Sequence, residues 1–234
     1  MRKSPNDQTK LNEGAVVPQL HLILRDRIVS GDLIPGQRVS ETEFAKAYNI
    51  SRQPVRETFI KLAEEDLVVV KPQRGTFVTR ISVPAVLTAR FIREAVEVDI
   101  VRIATDRATP DMIAALDDAI AQQRITAKSG TPAEFMQLDQ AFHNQLAEFA
   151  GKPDVAHYLR VLNIPVNRVR NISARQFSPD KLVAQHAKIV DEMRQNNATA
   201  AAEQMRMHLR EINTDLPQIV QANPDFFEGT QTLL

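Results

Sequence analysis

Four residues in the second half of the chain carry side chains that could together bind a metal ion: Asp139, His143, His186 and His208. Asp139 and His143 are four residues apart, so on a helix they share one face, and they lie beside a stripe of apolar residues. His186 and His208 each fall among the apolar residues of two further predicted helices. The spacing therefore predicts that three helices direct one aspartate and three imidazoles toward a common interior.

A divalent metal ion is the simplest partner for such a group. A single inward histidine is more often a core residue with satisfied hydrogen bonds than a metal ligand, but burying four such groups without partners would cost several kcal/mol each. A divalent cation satisfies them together and keeps the imidazoles neutral. The chain contains no cysteine, which leaves carboxylate and imidazole as the expected ligands. We expect Zn²⁺, with Ni²⁺ or Mn²⁺ as alternatives, because nitrogen and oxygen ligands do not fix the identity of the metal.

A second group of candidate functional residues is basic. The stretch from Ser51 to Leu62 follows a 3.6-residue apolar period, and its first turn carries Arg52 and Arg56 on one face. Ser51 is predicted to cap this helix by accepting a hydrogen bond from a backbone amide, and Pro54 is tolerated in the first turn. The net charge of the whole chain is zero, so this local arginine cluster is the feature that indicates DNA binding.

The residues around this helix predict a winged helix-turn-helix. Ser40 to Glu43 has the pattern of a capping box, and Asn49 can take the left-handed turn between two helices. After the second helix, two runs rich in β-branched residues, 67–70 and 76–78, flank a turn that contains Gly75. Such a pattern predicts a β-hairpin, which would form the wing.

The expected DNA contacts divide by role. Arg52 and Arg56 are candidates for bidentate hydrogen bonds to guanine, each contributing about 1–3 kcal/mol of discrimination. Additional phosphate or base contacts are expected from three polar residues of the same helix start: Ser51, Gln53 and Thr58. At the wing tip, Arg74 and Gly75 are predicted to enter or border the minor groove, because glycine permits close approach. For any single surface arginine, a solvated charge is the alternative interpretation.

The N-terminal segments resemble the GntR family of winged-helix bacterial regulators. The resemblance rests on residues 24–28, on Gly31 to Gly36, on Ser51 to Glu57 and on Arg74-Gly75. It implies a bacterial one-component transcription regulator. Two positions depart from the family pattern. Asp66 stands where a glycine usually ends the recognition helix, and Thr42 stands where many relatives have a basic residue.

The C-terminal segments resemble the ligand domain of the FadR-type subgroup, the FCD domain. The matching segments are Arg93 to Glu97, Arg107 to Pro110, Asp139 to His143 and Met207 to Leu209. In this subgroup, members with one aspartate and three histidines at such positions bind a divalent metal between helices, and that pattern is intact here. The resemblance implies a mainly α protein with an N-terminal winged helix-turn-helix and a C-terminal all-α antiparallel helical bundle.

The predicted domain organisation follows these segments. We expect a flexible N-terminal arm at residues 1–14, the DNA-binding domain at 15–79, a linker at 80–83, a helical effector-binding and dimerisation domain at 84–227 and a C-terminal tail at 228–234. Within the helical domain the pattern predicts helices near residues 84–107, 110–128, 132–150, 154–175, 179–196 and 198–221. No stretch reaches the roughly 20 apolar residues of a membrane span, and the first residues are too polar for a signal peptide. A cytoplasmic protein without a membrane partner is therefore expected.

Three residues are candidates for binding an effector. Arg170 and Ser173 lie on the apolar arc of their predicted helix, and Arg93 borders the inward stripe of the first helix of the bundle. An inward arginine needs an anion, which could be Glu97 or another core carboxylate. The resemblance implies the alternative, in which the arginines clamp a small organic acid that also coordinates the metal.

The first helix of the bundle has a second apolar strip opposite its inward one, made of Leu87, Phe91, Val98 and Val101. Packing inside the bundle and a homodimer contact are both open explanations. DNA recognition favours the homodimer, because two recognition helices can read a palindromic double-stranded operator with adequate affinity.

Together these features predict a repressor whose C-terminal bundle binds a divalent metal and a small carboxylate, and whose operator binding depends on that carboxylate. One alternative is a metal-responsive regulator with no organic effector. Another is a metal-dependent hydrolytic enzyme, which is less favoured because no convincing general base accompanies the candidate ligands. We therefore assign no catalytic residue and expect no enzymatic activity.

Overall fold

The computed structural model describes residue 11, residues 14–176 and residues 179–233, without the side chains of residues 175 and 176. The flexible arm predicted at residues 1–14 lies outside the described residues, except for residues 11 and 14. The chain divides into two compact units. The first ends at Ile81 and also includes Pro224–Glu228, and the second runs from Ser82 to Asn223 and resumes at Gly229.

The first unit is a winged helix-turn-helix, as predicted. Its elements are α1 (Val16–Val29), β1 (Arg38–Val39), α2 (Glu41–Tyr48), α3 (Arg52–Glu64), β2 (Val68–Lys71) and β3 (Gly75–Val78). The three strands form an antiparallel sheet in the order β1-β3-β2. Asn49 takes the left-handed turn between α2 and α3, with φ 53°. Asp66 also adopts a positive φ of 56°, so this aspartate supplies the turn that a glycine usually supplies.

Two helix caps predicted in this unit are absent, which corrects the sequence-based interpretation. Ser51 precedes α3 with an extended backbone, but its side chain makes no capping hydrogen bond. A serine cap bonds the amide of the second or third helical residue, and the third residue of α3 is Pro54, which has no amide hydrogen. Ser40 makes no capping bond either, and Glu43, its expected reciprocal partner, is exposed.

The second unit is all-helical. Its helices are α4 (Val83–Asp106), α5 (Pro110–Ser129), α6 (Pro132–Phe149), α7 (Pro153–Leu162), α8 (Ile164–Gln176), α9 (Asp180–Arg194) and α10 (Ala198–Ala222). Two 3₁₀ turns follow α10 in the chain: Pro224–Phe226, which belongs to the first unit, and Thr230–Leu233, which belongs to the second. The short strands β4 (Ile81–Ser82) and β5 (Phe227–Glu228), which belong to the first unit except for Ser82, pair in a separate two-stranded sheet. The predicted linker at 80–83 therefore contains a strand, and the predicted tail from residue 228 begins inside one.

Several helix starts in the second unit are fixed by side-chain caps. The Ser82 hydroxyl accepts from the Ala85 amide at 3.3 Å, and the Thr109 hydroxyl accepts from the amide at the third position of α5. Thr131 and Glu134 form a complete capping box at α6. A proline in the first turn of each of these helices costs no hydrogen bond. These features explain why the predicted boundaries of α4 to α6 fall within about two residues of the observed ones.

The single helix predicted at residues 154–175 is wrong, because the chain forms α7 and α8 instead. The break is at Asn163, whose side chain is buried. Two residues later, Pro165 has no amide hydrogen with which to continue the helical ladder of α7. A new helix therefore begins at Ile164, and its first turn includes the proline.

The core of the second unit lies between α4, α5, α6, α9 and α10. Its largest fully buried side chains are Leu116, Phe135, Phe142, Leu146, Ile189 and Met193. The predicted second apolar strip of α4 is divided between two environments. Val101 is fully buried in this core, whereas Phe91 is 64% exposed. None of the helices in the described part of the chain is both long and apolar enough to cross a membrane.

Candidate metal centre and nucleic-acid interface

The four predicted metal ligands lie together in the core of the second unit, and we call them the tetrad. Helix α6 contributes Asp139 and His143, α9 contributes His186 and α10 contributes His208, and all four side chains are buried. One potential ligand atom from each lies within 4.8 Å of the others. The Nε2 atom of His208 is 3.3 Å from the Nε2 atoms of both other histidines.

Each histidine of the tetrad is oriented by a contact on the other side of its ring. The three contacts are His143 Nδ1 to Glu97 Oε2 at 2.6 Å, His186 Nδ1 to Gln123 Oε1 at 2.8 Å and His208 Nδ1 to Gln185 Oε1 at 2.9 Å. A carboxylate or amide oxygen can only accept, so each Nδ1 carries the proton. All three Nε2 atoms consequently turn a lone pair toward the same point, as the ligands of a metal do.

The three acceptors are themselves held in place by a further group. Gln123 donates through Nε2 to the carbonyl of Leu138 at 3.3 Å, and Gln185 donates to Glu211 at 2.8 Å. Glu97 accepts from Arg93 Nε at 2.6 Å. Sequence reasoning missed both glutamines. The available signal was that Gln123 continues the inward face of α5, three residues after the buried Ile120.

The electrostatics of the tetrad fit a cation. Burial lowers the pKa of His186 to about 3, although the charge of Asp139 opposes the shift. Burial, together with the other two histidines, also holds the pKa of His208 well below its usual value. Neutral imidazoles with facing lone pairs repel each other unless a cation lies between them. Two nitrogen ligands at about 2.0–2.1 Å from a tetrahedral Zn²⁺ would be roughly 3.4 Å apart, which matches the observed 3.3 Å.

Asp139 completes this donor set as a charged group. Burial alone would raise its pKa, but the charge of Arg170 and its hydrogen bond to Asp139 act in the opposite direction, and the pKa lies well below the usual range. Its Oδ1 atom accepts from Arg170. Its Oδ2 atom is buried and has no hydrogen-bond partner among the described residues. The tetrad therefore includes a free carboxylate oxygen that could bind a metal.

The charges around the tetrad cancel. Burial would raise the pKa of Glu97, but the charge of Arg93 and the hydrogen bonds from His143 and Arg93 act in the opposite direction, so the pKa lies well below its usual value and Glu97 is also ionised. The two carboxylates, Asp139 and Glu97, are thus matched by two arginines, Arg170 and Arg93. Because these four charges sum to zero, a divalent ion bound by the tetrad would add a positive charge that none of the four residues neutralises.

A cavity of about 300 Å³ adjoins the tetrad, and we call it the α10 cavity. It is lined by all three predicted effector residues, Arg93, Arg170 and Ser173, and by the metal-ligand candidate His208. Apolar side chains form much of its remaining wall: Val166, Val169, Leu182, Leu209, Ile212 and Ile219. Both arginines pair with core carboxylates, as one of the two interpretations of an inward arginine expected. Both also face a space in which a ligand could lie.

In the first unit, most of the predicted DNA contacts are exposed at the start of α3. The exposed residues are Ser51, Arg52, Gln53 and Arg56. Arg52 donates to Glu41 Oε2 at 3.2 Å, and Gln53 donates to Glu57 at 3.0 Å.

Thr58 does not fit the predicted DNA contact. Its side chain is completely buried, and its hydroxyl donates to the carbonyl of Pro54 at 2.8 Å. Thr58 lies three residues after Val55 and four before Leu62, and all three positions face the core. The apolar period of α3 therefore already indicated the inward face for this residue.

The wing includes Arg38, a cationic residue that sequence reasoning missed, beside the predicted Arg74 and Gly75. Arg74 is exposed in the turn between β2 and β3, and Gly75 has a φ of 103°. A Cβ atom at Gly75 would lie 3.0 Å from Nε of Arg38 on β1, so glycine leaves room for this guanidinium. Strand β1 is only two residues long, and its pairing with β3 brings Arg38 to the wing.

Family models match most of the chain. The model described as "Bacterial regulatory proteins, gntR family" matches residues 18–78, and the model described as "FCD domain" matches residues 89–211. The "HTH-type transcriptional repressor RspR" of Escherichia coli (strain K12) is 37% identical over 222 residues, which cover 94% of this chain and 97% of that protein. An "Uncharacterized HTH-type transcriptional regulator in unstable DNA locus" of Streptomyces ambofaciens is 34% identical, and the match covers 89% of this chain and 88% of that protein. The "HTH-type transcriptional repressor NanR" of Salmonella arizonae is 28% identical, with 91% and 87% covered.

Two solved structures share the fold. The structure described as "E. coli McbR/YncC" has a TM-score of 0.72 at 15% identity, and the match covers 89% of this chain and 99% of that one. A putative transcriptional regulator GntR from Rhodococcus sp. RHA1 has a TM-score of 0.70 at 24% identity, with 88% and 98% covered. At these identities the similarity concerns the fold alone.

Proposed function

The chain belongs to the GntR family of bacterial regulatory proteins and carries an FCD domain, and from this premise we propose that it is a metal-containing repressor controlled by a small carboxylate. That it is a transcription regulator follows from the family. The repressor assignment is supported by two relatives named as repressors, RspR and NanR. The metal, the effector and the homodimer are inferences from this chain's own residues.

The tetrad is the proposed metal site. Its support is the convergence of three unprotonated Nε2 atoms and one free carboxylate oxygen in a fully buried space. Zn²⁺ is the first candidate, and Ni²⁺ and Mn²⁺ suit the same ligands. A bound divalent ion would supply a Lewis-acidic charge with coordination positions that an oxygen ligand can take. Glu97, Gln123 and Gln185 hold the three imidazoles in the orientation that such an ion requires.

The α10 cavity is the proposed effector site, and the observation that carries this proposal is that Arg93, Arg170, Ser173 and His208 all line it. The carboxylates and arginines around the tetrad cancel in charge, so a metal-loaded site favours an anionic ligand. A carboxylate bound next to His208 would lie beside the tetrad and could accept hydrogen bonds from Arg170 and Ser173. The volume of about 300 Å³ suits a small metabolite.

The start of α3 and the wing are the proposed DNA-reading surfaces. Arg52 and Arg56 are exposed where a recognition helix presents its N-terminal residues to base edges. Ser51 and Gln53 remain candidates for phosphate or base contacts, and Arg74 with Gly75 for the minor groove. Thr58 is withdrawn as a contact because it is buried, and Arg38 is added.

We place a homodimer contact on α4. Phe91 is 64% exposed and borders a surface depression of about 820 Å³ between α4 and α10. The depression also includes the apolar residues Ala95 and Val98. A large exposed apolar side chain in such a depression supports a protein contact, and a homodimer would allow two recognition helices to read a palindromic operator.

An electrophoretic mobility-shift assay with the DNA upstream of the protein's own gene tests the proposal. We expect binding by the zinc-loaded protein, and release of the DNA when the effector is present among hydroxy acids and sugar acids. The His186→Ala variant should lose the response to the acid, whereas His157→Ala, which changes an exposed histidine, should keep it. A response to chelator alone, with no effect of any acid, would instead indicate a regulator that senses the metal itself.

A further inference from the structure

The α10 cavity has two chemically different ends. One face of α10 lines it with four polar residues spaced three, four and three apart: His208, Glu211, Asp215 and Gln218. At 1.5 Å per residue, the backbones of His208 and Asp215 are about 10 Å apart along the helix axis. His208 is buried and Gln218 is exposed, so the cavity extends from the tetrad toward solvent along this face of the helix.

Two acidic residues of α10, Glu211 and Asp215, line the cavity beyond His208. Lys181, which also lines the cavity, pairs with Glu211. Asp215 is half-buried and has no hydrogen bond or ion pair with any residue that the structure describes. Burial and the nearby charge of Glu211 raise the pKa of Asp215, while Lys181 acts in the opposite direction. Lys181 is hydrogen-bonded to Glu211, which leaves Asp215 as a carboxylate without a direct cationic partner among the described residues.

Several other polar groups on the cavity wall already make hydrogen bonds or ion pairs. Glu211 accepts from Lys181 and, at 2.8 Å, from Gln185, and Gln185 in turn contacts His208. Arg90 pairs with Glu94, and its buried Nε atom has no hydrogen-bond partner among the described residues. Asp215 is thus the carboxylate of the cavity that has acceptor capacity to offer a ligand.

This polarity discriminates between classes of small carboxylate. With its own carboxylate at the tetrad end, an alkyl acid would cover Asp215 with apolar carbon and leave it without a partner. A dicarboxylate would bring a second group of hydrogen-bond acceptors toward Asp215, which is itself an acceptor. Hydroxyl or ammonium groups at the far end of the ligand would donate hydrogen bonds to Asp215.

We propose that Asp215 is a specificity-determining residue that selects carboxylates whose far end carries hydrogen-bond donors, either hydroxyl or ammonium groups. This inference rests on the proposed function of the α10 cavity as an effector site. It narrows the effector from any small carboxylate to one with a carboxylate at one end and donors at the other.

The test uses four six-carbon probes that share a carboxylate and differ at the far end: gluconate with hydroxyls, 6-aminohexanoate with an ammonium group, adipate with a second carboxylate and hexanoate with a methyl group. Binding of each to the full-length zinc-loaded protein is measured by isothermal titration calorimetry. We expect gluconate or 6-aminohexanoate to bind at least about tenfold more tightly than adipate and hexanoate. The ranking of the two donor-bearing probes distinguishes a hydroxylated from an amino-bearing effector.

Two variants accompany the four probes. Asp215→Asn should weaken binding of the preferred probe by about tenfold while leaving hexanoate within about twofold and adipate unchanged or tighter. The same chemical change at the exposed Asp118 of α5, outside the cavity, should alter none of the four affinities. We avoid substituting Glu211 because its bond to Gln185 would disturb His208.

The outcomes separate this inference from the proposed function. Adipate or hexanoate binding as tightly as both donor-bearing acids would overturn the selectivity proposal while leaving carboxylate binding intact. Equal weakening of all four probes by Asp215→Asn would also overturn it, since a merely structural role predicts that result. Failure of all four to bind at millimolar concentration would contradict the carboxylate-sensing function itself.

Discussion

The start of α3 and the tetrad differ in how their side chains are held. Arg52 and Arg56 are exposed and make few contacts, so each acts nearly alone. His143, His186 and His208 are buried, and each is fixed by an acceptor that a further group fixes in turn. The start of α3 can therefore change its function without changing the fold, whereas the tetrad cannot.

This difference separates the expected consequences of mutation. At an exposed arginine, a substitution should change DNA affinity and leave the free energy of unfolding unaltered. In the tetrad or the groups that orient it, a substitution should change stability, metal affinity and effector binding together.

Arg93→Met should have the largest effect. It leaves Glu97 buried without its arginine, and breaking a buried ion pair in this way costs about 3–5 kcal/mol. The free energy of unfolding, measured by urea denaturation, should fall by this amount. Arg102→Met breaks a similar pair with Asp99 on the exposed face of the same helix and should leave stability unchanged. Equal losses of unfolding free energy in both variants would show that burial does not determine the cost of breaking an ion pair.

Metal removal should lower stability next. A ligand that binds only the folded state stabilises it by about 4 kcal/mol at a free concentration of 1,000 times its Kd. Adding a chelator should then lower Tm by roughly 10 °C for a domain of this size. Calorimetry before and after chelation, with elemental analysis of the same sample, measures the effect. An unchanged Tm in a sample that had contained one metal ion per chain would contradict a stabilising site.

The sequence predicted the tetrad but not the groups that orient it, for a physical reason. His143, His186 and His208 lie at inward positions of periodic helices, and periodicity is a local property. The direction in which Gln123 or Gln185 points depends on partners 15 and 26 residues away in the chain, which no local pattern contains. The same limit applies to Arg38, which reaches the wing only through strand pairing.

Other errors came from local rules that competed. Ser51 has the residue type of a cap, but Pro54 removes the amide that the cap would bind. Residues 154–175 have a continuous apolar period, yet the proline at position 165 divides them into two helices. Thr58 has the polarity of a DNA contact and the helical position of a core residue, and its position decided its environment.

Gln123→Leu tests whether the acceptors around the tetrad matter to the metal. Leucine fills a similar space but cannot accept from His186 Nδ1, so the ring loses the contact that orients its Nε2 atom. We expect the metal to bind about 10- to 100-fold more weakly, measured by competition with a chromogenic chelator. Gln122→Leu, at the exposed neighbouring position, is the matched control and should leave metal affinity unaltered. Wild-type affinity in Gln123→Leu would show that packing alone orients the histidines.

Arg56→Ala should have the smallest effect on stability, and it should change the preference of the protein for one base pair of its operator. If Arg56 reads a guanine, its loss should cost about 1–3 kcal/mol for that base pair and relax preference at that position only. Arg38→Ala should instead weaken all sequences alike and reduce the salt dependence of binding by about one ion, as expected for a phosphate contact. Binding to an operator library at several salt concentrations distinguishes the two results. Because both side chains are exposed, neither variant should change Tm. A lowered Tm in Arg56→Ala would contradict the contrast with the tetrad, because weaker DNA binding could then result from a damaged fold.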